Sequence, residues 1–198
     1  MVIDTQDCRR QSVTVVFVDI VGFTTLIDDL DCAEVRDLQL DYFATVSTVV
    51  RAYGGVVEKY IGDAVMAVFG TAEGDGPDEA AAAGVRAGMA VQDALRGRRL
   101  AGRFPVRTRA GVATGDVILD SWAARDGGHA MVSGRVVSTA SRLQTYAPHD
   151  TVVVDAATRE LSGELVAYQE LPPVRVAGRP EPVGLWRALE PLPAYCPA

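Results

Sequence analysis

The chain has 198 residues, 48% of them hydrophobic and 23% charged, with a formal net charge of −7. A single domain of this size buries roughly two-thirds of its unfolded surface, and the acidic balance argues against direct nucleic-acid binding, because affinity for a phosphate backbone comes from clustered Lys and Arg. Cys8, Cys32 and Cys196 stand at unrelated spacings and form neither a disulfide framework nor a zinc motif. No apolar run approaches the ~20 residues that cross a bilayer, and "MVIDTQDCRRQ" lacks the apolar stretch of a signal peptide, so a cytoplasmic protein without membrane contact is expected.

In chain order, "VTVVFV" at 13–18 reads as a buried strand with Asp19 at its exit, and Gly22 and Thr24 open a helix. From Ala33 to Tyr53 the residues Val35, Leu38, Tyr42, Val46, Val49 and Tyr53 recur every three or four positions, a helical stripe closed by Gly54 and Gly55. Strands at 56–61 and 64–69 flank a Gly62-Asp63 turn. Pro77, Asp78 and Glu79 suit the first turn of an Ala-rich helix that runs to about Leu95. A polar, basic connection "RGRRLAGR" follows, then strands at 105–113 and 115–120, and a loop "SWAARDGGH". A helix from Gly134 to Ala147, a strand at 151–155, a short helix capped by Asp155 and a closing hairpin around a Gly/Pro turn complete the pattern. Helices interleaved with hairpin strands predict an α+β fold rather than a regular βαβ array.

Asp19 and Asp63 stand at the ends of strands that can be neighbours, so their carboxylates can converge at a sheet edge. Mg²⁺ favours such a pair of carboxylates completed by waters and substrate phosphates, and two metals about 3.5–4 Å apart stabilise both oxygens of an in-line displacement at phosphorus. Taken singly, Asp19 reads equally as an N-cap, Gly-Asp as an ordinary turn pair, and Lys59 as a solvated strand residue. The combination points further: "FVDIVGFT" and "EKYIGDAVMAVFG" occur in order, separated by one long helix.

These two stretches resemble the metal-binding segments of class III nucleotide cyclases, and "VRTRAGVATGDV" and "VSGRVVSTASRLQ" resemble that family's next two signatures. The likeness spans about 11–189, leaving 1–10 as an extension and 190–198 as a tail or linker. It implies a ferredoxin-like βαββαβ core with a C-terminal hairpin, an antiparallel sheet with helices packed on it, and a head-to-tail homodimer whose sites draw on both subunits. Asp19 and Asp63, with the Ile20 carbonyl, resemble the ligands of two divalent cations, Mg or Mn. Arg109 resembles the phosphate-binding arginine of the same subunit. From the partner copy, Lys59 resembles the base-reading lysine and Arg142 the arginine that offsets charge at the α-phosphate. Helical geometry agrees: Val136, Val137, Ala140, Leu143 and Ala147 share one face, and Ser138 and Arg142 the opposite one. An arginine on that face also reads as merely solvated.

The implied reaction is attack of the ribose 3′-oxygen on the α-phosphorus of ATP, giving 3′,5′-cyclic AMP and pyrophosphate. Three positions depart from the family pattern. Met131 stands where adenylate cyclases carry an aspartate that accepts from the adenine amino group, and a thioether is a poor acceptor. Ser138 replaces the asparagine beside the ribose, and Ala177 replaces a lysine for the terminal phosphates, a role Arg175 or Arg179 can take. The same pattern resembles the branch in which a cyclase domain begins a longer chain with an ATPase module and a DNA-binding module. The departures also fit a catalytically weak or inactive cyclase-fold module that senses nucleotide or mediates regulatory dimerisation. A receiver domain fails for want of a regular βα alternation, and a P-loop NTPase for want of GxxxxGK[ST].

Overall fold

A computed structural model describes residues 8–72, 74–120, 131–175 and 182–191. Its frame is a mixed sheet in the order β2-β3-β1-β6-β8-β10-β9, with β7 pairing beside β8 on the same β6 strand. The strands are β1 (Cys8–Ile20), β2 (Val56–Ile61), β3 (Ala64–Phe69), β6 (Thr108–Asp120), β7 (Met131–Ser133), β8 (Val152–Val154), β9 (Val166–Val174) and β10 (Val183–Pro191). Among the described residues only the β6–β8 pairing is parallel. The expected βαββαβ core is present as β1, α2 (Cys32–Ala52), β2, β3, α3 (Pro77–Leu95) and β6, in the spatial order β2-β3-β1-β6. A short helix, α1 (Phe23–Ile27), follows β1, and the C-terminal hairpin is β9 with β10.

Both faces of the sheet are covered, which is why β1 reads as a continuous apolar run instead of an alternating one. Val16, Val18 and Ile20 join α2 and α3 in one core, while Val13, Val15 and Phe17 join α4 (Arg135–Tyr146) in a second core on the other face. The Asp31–Glu34 capping box begins α2 one turn ahead of its stripe: the Glu34 amide donates to Asp31 Oδ1 at 2.8 Å and the Asp31 amide to Glu34 Oε2 at 3.2 Å. Its buried residues are Leu38, Tyr42, Val46, Ser47 and Val50, whereas Tyr53 is exposed. Small residues let α3 lie close to β1; a Cβ on Gly84 would stand 2.8 Å from Thr14 Cγ2. Buried hydroxyls are satisfied in a chain from Thr14 to Thr114 (2.8 Å), Thr158 (2.9 Å) and Asp155 (2.7 Å), the cap of α5 (Ala156–Ser162).

Three elements differ from the sequence expectation. The strands expected at 105–113 and 115–120 are one strand, β6, because Gly115 pairs with Val13 in regular register and introduces no break. The basic connection holds a small hairpin, β4 (Arg99–Leu100) with β5 (Phe104–Pro105). Leu100, Phe104 and Val106 there are buried, while Arg98 and Arg103 pair with Asp41 and Glu34 of α2. The short strand β7 precedes α4; the expected loop at 121–130 and the tip of the C-terminal hairpin lie outside the described residues.

Helix α4 sits on β6 at Gly111, where a Cβ would stand 2.3 Å from the Gln144 amide nitrogen and 2.4 Å from the Ala140 carbonyl oxygen. Backbone atoms cannot rotate away. Gly111→Ala is expected to destabilise the fold by about 3 kcal/mol or more, read as a lowered midpoint in urea unfolding at an unchanged m-value.

Candidate active site

β1 lies between β3 and β6, so its last residues meet functional groups from both sides. Asp19 is directly opposite Arg109 on β6, and the β2–β3 turn carries Asp63 back over the end of β1, where Asp63 Oδ2 accepts from the Ile20 amide at 3.2 Å. Gly62 makes that turn possible at φ 64°, a left-handed conformation. Asp19 is only 9% exposed. Its Oδ2 accepts from Arg109 Nε at 3.3 Å and Nη2 at 3.1 Å, and Arg109 Nη1 donates onward to the Thr145 carbonyl of α4 at 3.3 Å. The N-cap reading of Asp19 is replaced by this ion pair.

Electrostatics set this pair apart. The Asp63 carboxyl is pushed up to about 7, first by burial and then by the neighbouring Asp19, against the lowering effect of backbone hydrogen bonds. Burial, followed by the charges of Asp19 and Asp63, also holds the Tyr42 hydroxyl well above its ordinary range. Tyr42 is fully buried and its hydroxyl has no hydrogen-bond partner. Among the described residues no group of three or more His, Cys, Asp or Glu could hold a metal. Two carboxylates and the Ile20 carbonyl fit instead the pattern of a hard cation that completes its shell with water and phosphate oxygens.

The remaining candidates lie apart. β2 carries a bulge between Val57 and Lys59, the register passing from Val57↔Ala67 to Lys59↔Met66. Val57 belongs to the core under α2, but after the bulge Tyr60 is the residue that meets α2, its ring 4.4 Å from that of Phe43. Lys59 therefore shares the opposite face with Ile61. Lys59 Nζ lies 3.1 Å from Oε1 of Glu58, whose side chain is only 7% exposed and whose Oε2 has no partner. On that face a cleft of about 490 Å³ is lined by Phe17, Ile61, Val132, Val137, Ser138 and Ser141, among others.

Ser138 and Arg142 are exposed on α4 as expected. Among the described residues the Arg142 guanidinium has no polar partner, and no hydrogen bond or ion pair joins Lys59, Ser138 or Arg142 to the two aspartates. The structure thus brings Asp19, Ile20, Asp63 and Arg109 together and leaves Lys59, Ser138 and Arg142 outside that group. The Met131 side chain, Ala177 and Arg179 lie outside the described residues; Arg175 is exposed. Sequence reasoning missed Tyr42 and Glu58. Tyr42 was visible only as one member of an apolar stripe, and Glu58 only as a strand residue, because no spacing announces the bulge.

Comparison with known proteins gives the family. Residues 5–186 match the model of the adenylate and guanylate cyclase catalytic domain, and the chain belongs to that family. It is 29% identical over 192 residues to adenylate cyclase 1 of Rhizobium meliloti (strain 1021), covering 91% of this chain and 29% of that protein. The crystal structure of the adenylyl cyclase CyaB from P. aeruginosa superposes with a TM-score of 0.83 at 27% identity, covering 92% of this chain and 96% of the other. That of the guanylyl cyclase Cya2 gives 0.85 at 24% identity, covering 94% and 96%, a likeness of fold. The chain spans less than a third of the length of the curated relatives it matches.

The raised Asp63 carboxyl sets a pH dependence. A native carboxyl that binds its proton more tightly than the unfolded one, at about 7 against 3.8, favours the fold below the lower value and loses that contribution as pH rises through the interval. In the absence of divalent ions, the stability of Asp63→Asn is expected to fall less between pH 4 and 7 than that of the wild type. Thermal unfolding followed by circular dichroism at several pH values measures the difference; Mg²⁺ at pH 8 should raise the wild-type Tm and leave the variant's nearly unmoved.

Proposed function

We propose that this chain is an adenylate cyclase acting as a homodimer, each site combining the acid pair of one copy with Lys59, Ser138 and Arg142 of the other. The observation that carries this reading is the division of the candidate groups within one chain. Two crowded carboxylates favour cations, an exposed arginine is available to an anion, and among the described residues no hydrogen bond or ion pair joins the two sets. A symmetric pair of copies answers both at once.

In this reading Asp19, Asp63 and the Ile20 carbonyl hold two divalent ions, Mg or Mn, which supply Lewis-acid activation of the 3′-hydroxyl and charge neutralisation at the phosphates. Arg109 exchanges part of its contact with Asp19 for the phosphates of ATP, its third nitrogen staying anchored on α4. Arg142 of the partner copy stabilises charge that develops on the α-phosphoryl oxygens. Lys59 of that copy donates to adenine N1, a contact that favours ATP over GTP. Ser138 faces the ribose, where its short side chain acts through water. Arg179 takes the terminal phosphates in place of the lysine that Ala177 replaces. Regulatory domains in a longer chain would then adjust how the two copies meet.

Purified chain with ATP and Mn²⁺ or Mg²⁺ should yield cyclic AMP. Asp63→Ala should abolish it, and Arg142→Ala should lower kcat by about 10²–10³-fold. Mixing Asp63→Ala with Lys59→Ala subunits should restore about a quarter of wild-type activity, since half of the randomly formed dimers carry one intact site. No recovery in confirmed heterodimers would overturn the shared site. The departures at Met131, Ser138 and Ala177 favour a second reading, a nucleotide-sensing module; saturable ATP binding in calorimetry with no turnover would select it.

Met131→Asp returns a carboxylate acceptor to the position expected to read the adenine amino group. It should raise the ratio of kcat/KM for ATP over GTP by about tenfold, the effect of one recovered hydrogen bond, in parallel assays of the two nucleotides.

A further inference from the structure

On the face of the sheet opposite the candidate active site, a second cavity of about 280 Å³ opens between the end of α3 and strands β8 and β10. Gln92, Arg96, Asp150, Thr151, Val152 and Arg187 are among its lining residues. Gln92 is only 2% exposed; its Oε1 accepts from Thr108 at 2.8 Å, while its amide nitrogen is buried with no partner among the described residues. A buried N–H left unmade costs about 1–3 kcal/mol.

Each carboxylate at this cavity has one oxygen in an ion pair, Asp93 with Arg96 at 2.9 Å and Asp150 with Arg107 at 2.5 Å. The Thr151 hydroxyl donates to the Pro148 carbonyl at 2.7 Å. Arg96 uses one guanidinium nitrogen on Asp93, and Arg187 uses one on Gln169 at 2.7 Å. The donors left over at the cavity are the Gln92 amide nitrogen and the other nitrogens of two guanidiniums. Asp150 adds an unusual backbone, a left-handed φ of 57° in a residue that is not glycine.

We propose that this cavity binds a small oxyanion, a carboxylate or phosphate group held by Arg96, Arg187 and the Gln92 amide. The site is coupled to the acid pair through one residue. Thr108 holds Gln92 by its hydroxyl, accepts from the Asp150 amide at 2.7 Å, and pairs with Ile20, while its neighbour Arg109 holds Asp19. An anion that orders Gln92 and Asp150 therefore fixes the strand end from which Arg109 reaches the aspartates. The cavity does not depend on the cyclase reading, because none of its residues belongs to the proposed catalytic groups.

The test is titration of the full chain with sodium phosphate and, separately, sodium acetate at constant ionic strength, by calorimetry and by backbone amide chemical shifts. Arg142→Ala removes a candidate phosphate contact at the active site and should leave binding at this cavity unchanged. Arg96→Met with Arg187→Met removes two long side chains at the cavity rim and should weaken binding by at least roughly tenfold, the effect of losing charge-assisted hydrogen bonds. Shifts should centre on Gln92 and Thr151. Saturation by phosphate alone assigns a phosphate ligand, and saturation by acetate as well assigns a carboxylate. Absence of saturable binding by both anions, or binding lost in Arg142→Ala and kept in a folded double arginine variant, overturns the site.

Discussion

Two carboxylates pressed together at the end of β1 are the constraint around which the rest of this molecule is arranged. Asp19 and Asp63 come from different elements, and neither is solvated well enough to carry its charge at no cost. The chain meets that cost with what it has: the Ile20 amide turned toward Asp63, and the Arg109 guanidinium laid against Asp19. The Asp63 carboxyl nevertheless stays raised, first by burial and then by the neighbouring Asp19. The fold thus crowds two acids at one point of its sheet, and perturbed groups of this kind cluster at functional sites.

The two-faced sheet determines what surrounds that point. On one face α2 and α3 close over β1, with Gly84 and its small neighbours letting α3 approach closely. On the other face α4 covers β6, and Gly111 lets it settle onto the strand backbone. α4 leaves the cleft beside Phe17 and Ile61 open. Ser138 and Arg142 stand on the outward side of α4 because Val136, Ala140 and Leu143 occupy its inward side. Core packing and site geometry are therefore the same fact seen from two sides: residues that anchor α4 also orient its polar row.

Much of this was legible in the chain. The paired motifs around Asp19 and Asp63 led to the family, and the stripe on α2 and the two faces of α4 follow directly from 3.6-residue periodicity. The hairpin flanking Gly62-Asp63 was equally plain. Other features depend on contacts that no local pattern announces. The two strands expected on either side of Thr114 are one, because Thr114 and Gly115 pair in turn with Thr14 and Val13 and keep β6 continuous. Leu100, Phe104 and Val106 hid in a stretch dominated by arginines whose charges are taken up by Asp41 and Glu34 of another helix. Tyr42 resembled its aliphatic neighbours, although its hydroxyl feels both aspartates. The Arg109–Asp19 pair joins residues ninety positions apart in the chain, and only strand register brings them face to face.

The bulge at Glu58 has a consequence for how this hairpin can change over evolutionary time. It shifts the odd–even phase of β2, so that Val57 and Lys59, two positions apart, point to opposite sides of the sheet. Flattening the bulge without removing a residue would drive an ammonium group under α2, where the Tyr60 ring now rests on Phe43, whereas deleting the extra residue would restore simple alternation with Lys59 still on the cleft side. Loss of one residue between Val57 and Lys59 is therefore compatible with a solvated Lys59 when it absorbs the bulge, while any other change of length in this segment keeps that facing only when it comes in pairs.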